Sequence, residues 1–153
     1  MAKQTFNPKR VLLVHAHPDD ESLFTGHVIA ERLAAGAEVY VLTLTRGERG
    51  KVKLADLKPL EGQSKQMGAF RTAELMTALA AYDTESASVQ HSFAGTRAYL
   101  DSGMRINALG RPTRKRVLDE MSLVAVATPV IADDIVAVMK SFRPDAVITY
   151  NRK

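Results

Sequence analysis

The chain has 153 residues, 46% of them hydrophobic, and a formal net charge of +4, the profile of one globular domain or a large part of one. Cysteine is absent, which excludes disulfides and thiolate zinc sites and fits a cytoplasmic location. No apolar run approaches membrane-spanning length and none follows the polar Met1–Thr5, so neither a membrane span nor a signal peptide is expected.

Residues 1–9 are polar and read as a loose arm. Arg10 to His15 carries Val11-Leu12-Leu13-Val14 without alternation, the pattern of a strand buried on both faces. A polar turn follows, and a helix is expected from Ser22 to about Ala35, with Asp20 or Ser22 as its cap and Gly36 as its stop. Glu38 to Thr45 is rich in β-branched and aromatic residues and reads as a second strand. Arg46-Gly47-Glu48-Arg49-Gly50 then leaves its carboxyl end as a glycine-bounded charged loop. Residues 51–62 look irregular. A helix from Gln63 to Ala81 would place Met67, Arg71, Leu75 and Leu79 on one stripe. An arginine on an apolar line is either a snorkelling stem or a cation aimed into a cleft.

Glu85 to Phe93 is a weaker strand, and residues 94–113 form a long loop of the kind that is usually functional or mobile. A helix is expected over 114–126. Thr128-Pro129 opens a clearer one, with Thr as cap and an apolar stripe of Ile131, Ile135, Val138 and Phe142. Arg143-Pro144 ends it, and Asp145 to Tyr150 reads as a last buried strand. The alternation gives an α/β fold with a mainly parallel sheet and flanking helices. The glycine pattern of a dinucleotide loop is absent after the first strand. The basic run at Arg111–Arg116 reads as a solvated loop. No aromatic residue interleaves with it, so no nucleic-acid partner is expected.

The chemistry concentrates in His15-Ala16-His17-Pro18-Asp19-Asp20-Glu21, at the carboxyl end of the first strand, where open α/β sheets bind ligands. Imidazole and carboxylate together suit zinc and other divalent metals. His17 and Asp20 lie three residues apart across a stiffening proline and can point at one ion, while Asp19 can stand beside it as a base. Ordinary helix capping explains Asp-Asp-Glu alone; two histidines before it are less ordinary. A catalytic zinc takes three protein ligands, so a third must come from elsewhere.

These residues resemble the signature of the PIG-L/LmbE-like de-N-acetylases. Thr43–Gly50 is similar to that family's second-strand loop, Phe70–Leu75 to its arginine-bearing helix, Leu100–Met104 to a segment of the mycothiol-pathway branch, and Arg143–Tyr150 to the strand before its second metal motif. The resemblance implies a Rossmann-like fold and zinc-dependent removal of the acetyl group from an N-acetylglucosamine conjugate. It implies His17 and Asp20 as metal ligands and Asp19 as general base. Arg71, Asp101 and Glu48 would stand on the substrate side and His15 in a supporting role. In the family a His-Pro-Asp-His motif brings the third ligand. This chain carries no such motif, so residues 1–153 are expected to form the N-terminal part of one deacetylase domain, short of a third ligand and of full activity. Exposed sheet edge and helix faces then predict association with another copy or with the remaining part. Two competing readings are a non-catalytic metal- or ligand-binding module and a receiver-like domain. The second lacks a phosphorylatable Asp in Val89–Phe93.

Overall fold

The computed structural model describes residues 7–94, 99–103, 105–109, 112–113 and 119–151. Strand β1 (Arg10–His15) leads into helix α1 (Asp20–Ala34), which is followed by β2 (Glu38–Thr43), helix α2 (Ser64–Ala80) and β3 (Gln90–Phe93). A small antiparallel pair, β4 (Arg105–Ile106) and β5 (Pro112–Thr113), precedes helix α3 (Thr128–Phe142) and strand β6 (Ala146–Ile148). Four strands form one parallel sheet in the order β3-β2-β1-β6. The chain thus winds outward from β1 through β2 to β3, then returns to the other side of β1. That reversal is the point where open α/β sheets bind their ligands.

Alternation along β1 feeds two cores, because successive side chains point to opposite faces. Val11 and Leu13 pack with Ile29, Leu33, Leu75 and Leu79 beneath α1 and α2. Leu12 and Val14 pack with Leu42, Tyr99 and Phe142, and α3 adds Ile131, Ile135 and Val138. Two covered faces explain why β1 has no polar alternation. Past the last rungs, Leu44 N–H donates to His15 O at 2.8 Å and Thr45 N–H to Ala16 O at 3.0 Å. The polar turn therefore starts from a fixed base.

Several boundaries differ from expectation. Helix α1 begins at Asp20, and Asp19 holds the cap position with φ of 92° and no side-chain capping bond. The nearby carboxylates fasten the turn instead: Glu21 Oε2 accepts Asp19 N–H at 3.0 Å and Asp20 Oδ2 accepts His17 N–H at 3.0 Å. A 3-10 turn, Ala55–Leu60, lies inside the stretch read as irregular. Of the helix expected over 114–126, residues 114–118 lie outside the described set, and 119–126 hold turns and an isolated bridge from Ser122 to Leu100. Helix α3 takes Ala127 as its cap and Thr128 as its first residue, since Pro129 suits either of the first two positions. Strand β6 is shorter than expected and only partly covered, with Val147 exposed, because it is the sheet's outer strand. The basic run at 111–116 falls largely outside the described residues. Among the described residues no helix is long and apolar enough to cross a membrane.

Candidate active site

Every residue of the polar turn has a partner that fixes it. His15, buried at the end of β1, meets Thr25 Oγ1 through Nε2 at 2.9 Å. Thr25 donates its own hydrogen to Glu21 O, so His15 is the donor in that pair and its Nδ1 is a lone pair without a hydrogen-bond partner among the described residues. Burial holds the His15 pKa below its usual value, although Asp20 and Glu21 pull it upward. His15 is therefore a neutral structural ring. Glu21 is almost fully buried and serves the turn backbone and Ser22 Oγ.

His17 lies between two carboxylates. Its Nδ1 is 3.5 Å from Asp20 Oδ2 and its Nε2 is 3.4 Å from Asp101 Oδ1. Hydrogen bonding to Asp101, then to Asp20, raises its pKa to about 9 against the opposing effect of burial. Burial pushes the Asp20 carboxyl upward, but hydrogen bonds from His17 and Tyr150 outweigh it and bring the pKa down to about 2. Asp101 behaves alike: burial raises it, and the hydrogen bonds from His17 and Gly103 N–H leave it lowered.

Asp19 faces the other way. Its carboxylate is half exposed and forms an ion pair with Arg71 Nη2 at 2.6 Å, and the same guanidinium nitrogen donates to Pro18 O. Arg71 is therefore a paired cation bound to the turn. The glycines of the 46–50 loop make room for it: a Cβ at Gly47, where φ is +63°, would lie 2.7 Å from Arg71 Nη1, and one at Gly50 would lie 3.0 Å away. A cavity of about 290 Å³ opens beside Asp19 and Arg71, walled by Leu54, Leu57, Leu60 and Phe70.

The fold thus gathers His17, Asp20 and Asp101 on one side of the turn and Asp19 with Arg71 on the other. Glu48 stands apart. It is buried, and among the described residues its Oε2 has no hydrogen-bond partner and no hydrogen bond or ion pair ties it to His17, Asp19 or Asp20. The sequence reading did not single out Tyr150, whose hydroxyl accepts Ala16 N–H at 3.0 Å and donates to Asp20 Oδ2. Its signal was its place at the end of the strand that returns beside β1.

The donor set suits a divalent metal in part. His17 Nδ1 and Asp20 Oδ2 are separated by 3.5 Å, close to the edge of a tetrahedral zinc site with bonds of roughly 2.0–2.2 Å. No group of three such side chains converges among the described residues, and the remaining residues of the chain include no His, Asp, Glu or Cys.

The family model for GlcNAc-PI de-N-acetylase, PIG-L, matches residues 12–153. The 1D-myo-inositol 2-acetamido-2-deoxy-alpha-D-glucopyranoside deacetylase of Actinosynnema mirum is 38% identical over 146 residues, covering 94% of this chain and 48% of that protein. The chain spans about half the length of the curated relatives it matches. Among solved structures, the 4-carboxy-2-hydroxymuconate hydratase GalB of Pseudomonas putida aligns with a TM-score of 0.59 at 22% identity, over 93% of this chain and 47% of that one. The N,N'-diacetylchitobiose deacetylase of Pyrococcus horikoshii aligns with a TM-score of 0.55 at 18% identity, over 92% and 40%. At these identities the structural likeness establishes the shared α/β fold.

Proposed function

The chain belongs to the PIG-L family of GlcNAc-PI de-N-acetylases, and on that premise we propose that it carries the metal- and proton-handling part of an amide hydrolase. The reaction is removal of the acetyl group from an N-acetylglucosamine conjugate, and the substrate named for the relatives, N-acetylglucosaminyl-inositol, is the first candidate. The observation that carries this reading is the division of the turn. Two donors stand 3.5 Å apart on one side, and a half-exposed carboxylate is held by an arginine on the other.

His17, through Nδ1, and Asp20 would hold zinc or another divalent metal. Once bound, that ion supplies Lewis acidity to the amide carbonyl and makes a water molecule more acidic. The remaining work belongs to side chains. Asp19 takes the proton of the attacking water and is the group from which it can return to the departing amine. Its left-handed backbone, at φ of 92°, turns it away from Asp20 and lets two adjacent aspartates serve separate tasks. Arg71 fixes the direction of the Asp19 carboxylate and stands on the substrate side, lining the cavity beside it. Asp101 lies at the boundary, with one oxygen engaged by His17 and Gly103 N–H. The apolar-walled cavity beside Asp19 can take part of the conjugate away from the sugar. A catalytic zinc takes three protein ligands, and His17 and Asp20 would be two of them; no third such side chain converges on them among the described residues.

The test is formation of the primary amine from N-acetylglucosaminyl-inositol, in a protein of the relatives' full length that carries residues 1–153. Turnover that disappears on chelation and returns with zinc is expected. Turnover indifferent to chelation would refute the metal reading, and tight metal binding without turnover of any acetamido sugar would favour a non-catalytic module.

A further inference from the structure

We propose that Asp101 and Tyr150 are positioning residues that hold His17 and Asp20 in register for a divalent metal, an inference that rests on the metal reading above. A histidine on an exposed turn is ordinarily free to rotate. Here the ring lies between two carboxylates, with Nδ1 3.5 Å from Asp20 Oδ2 and Nε2 3.4 Å from Asp101 Oδ1. A ring that gives Nδ1 to a metal must carry its hydrogen on Nε2, and a carboxylate accepting that hydrogen fixes both the tautomer and the ring plane. Asp101 sits where that acceptor is needed.

Asp101 is itself well anchored. It is 6% exposed, and its Oδ1 accepts Gly103 N–H at 2.8 Å. The residues before it are tied on two sides: Tyr99 bridges to Thr45, Leu100 N–H donates to Met121 O at 2.9 Å, and Leu123 N–H donates to Leu100 O at 2.9 Å. Residues 99–101 are therefore tied in place and present one carboxylate to the far side of His17.

Tyr150 does the matching work from two residues past the end of β6. Its hydroxyl spans the gap between the two strands, accepting Ala16 N–H and donating to Asp20 Oδ2. Its ring stands edge-on to His15, with centroids 5.9 Å apart. The bond from Tyr150, together with the one from His17 N–H to the same oxygen, leaves the Asp20 carboxylate little freedom to rotate. Two donors from a single turn are thus held by partners from two other elements, one on each side of β1.

The experiment titrates zinc alone into the labelled 153-residue chain and follows the ring resonances of His17 by NMR, which reads weak affinities as well as strong ones. Asp101→Asn keeps size and an acceptor oxygen; Tyr150→Phe keeps the ring and its contact with His15. Each is expected to raise the zinc Kd by roughly 10- to 100-fold, with Asp101→Ala worse than Asp101→Asn and the metal-free melting temperature nearly unchanged. A variant whose Kd stays within twofold of wild type removes that residue from the proposal. A lowered melting temperature with unchanged Kd likewise overturns it, by showing a structural role only. If Asp101→Ala fails to fold, Asp101→Asn decides. Wild-type binding that His17→Ala abolishes, with both positioning variants unaffected, overturns this inference and leaves the proposed function standing. A wild-type chain with no saturable zinc response overturns this inference, while the proposed function is decided separately by the chelation test on the longer protein.

Discussion

Single residues divide the labour of the site through their partners. Asp19 and Asp20 are adjacent, yet one is bound to Arg71 and the other to His17 and Tyr150. Gly47 belongs to the same arrangement, since a methyl group there meets both the Arg71 guanidinium and an unfavourable positive φ. Gly47→Ala is expected to cost about 1–2 kcal/mol in chemical denaturation and to loosen Arg71; unchanged stability would contradict that packing. His91 offers a pH test away from the site. Burial alone lowers its pKa to about 4, so the unfolded chain takes up its proton first as the pH falls. The stability it supports is complete above about pH 6.5 and is lost as the pH drops through about 4. Being partly exposed, it should account for only about 1–2 kcal/mol of that loss. His91→Gln should flatten the stability profile of the chain between those values, and an identical slope would contradict the assignment. The pairing of His17 with Asp20 was legible from spacing alone. The pairing of His17 with Asp101 was not, because a contact between residues 84 positions apart leaves no periodic trace.

At the level of elements, the central strand was readable and the irregular stretches were not. Uninterrupted Val11–Val14 signals two covered faces, and the structure supplies both. The helix expected over 114–126 gave way to turns across 119–126, where Met121 and Leu123 bond to Leu100 and tertiary pairing overrides local pattern. The start of α1 was misread by two residues because Asp20 and Glu21 cap the turn backbone rather than the helix. Glu21→Ala removes the acceptor of Asp19 N–H from a buried position and should cost about 1.5–3 kcal/mol. Its heat-denaturation midpoint should fall accordingly, and a loss below about 0.5 kcal/mol would show that the turn holds without it.

The whole molecule presents a parallel sheet with β3 and β6 on its outer positions and Val147 exposed on β6. Helix α3 adds a further exposed apolar residue, Val136, on its outer side. A parallel edge and apolar side chains open to water favour pairing with further structure. Association with a second copy or a complementary segment is therefore expected in light scattering of the 153-residue chain; a monodisperse, stable monomer would contradict it. The proposed chemistry turns on one carboxylate. Asp19→Asn preserves size and leaves both proposed metal donors intact, so metal content and fold should persist while deacetylation of N-acetylglucosaminyl-inositol falls by about 10²- to 10⁴-fold in a protein of the relatives' full length carrying this chain. Turnover equal to that of the unsubstituted protein would contradict the account.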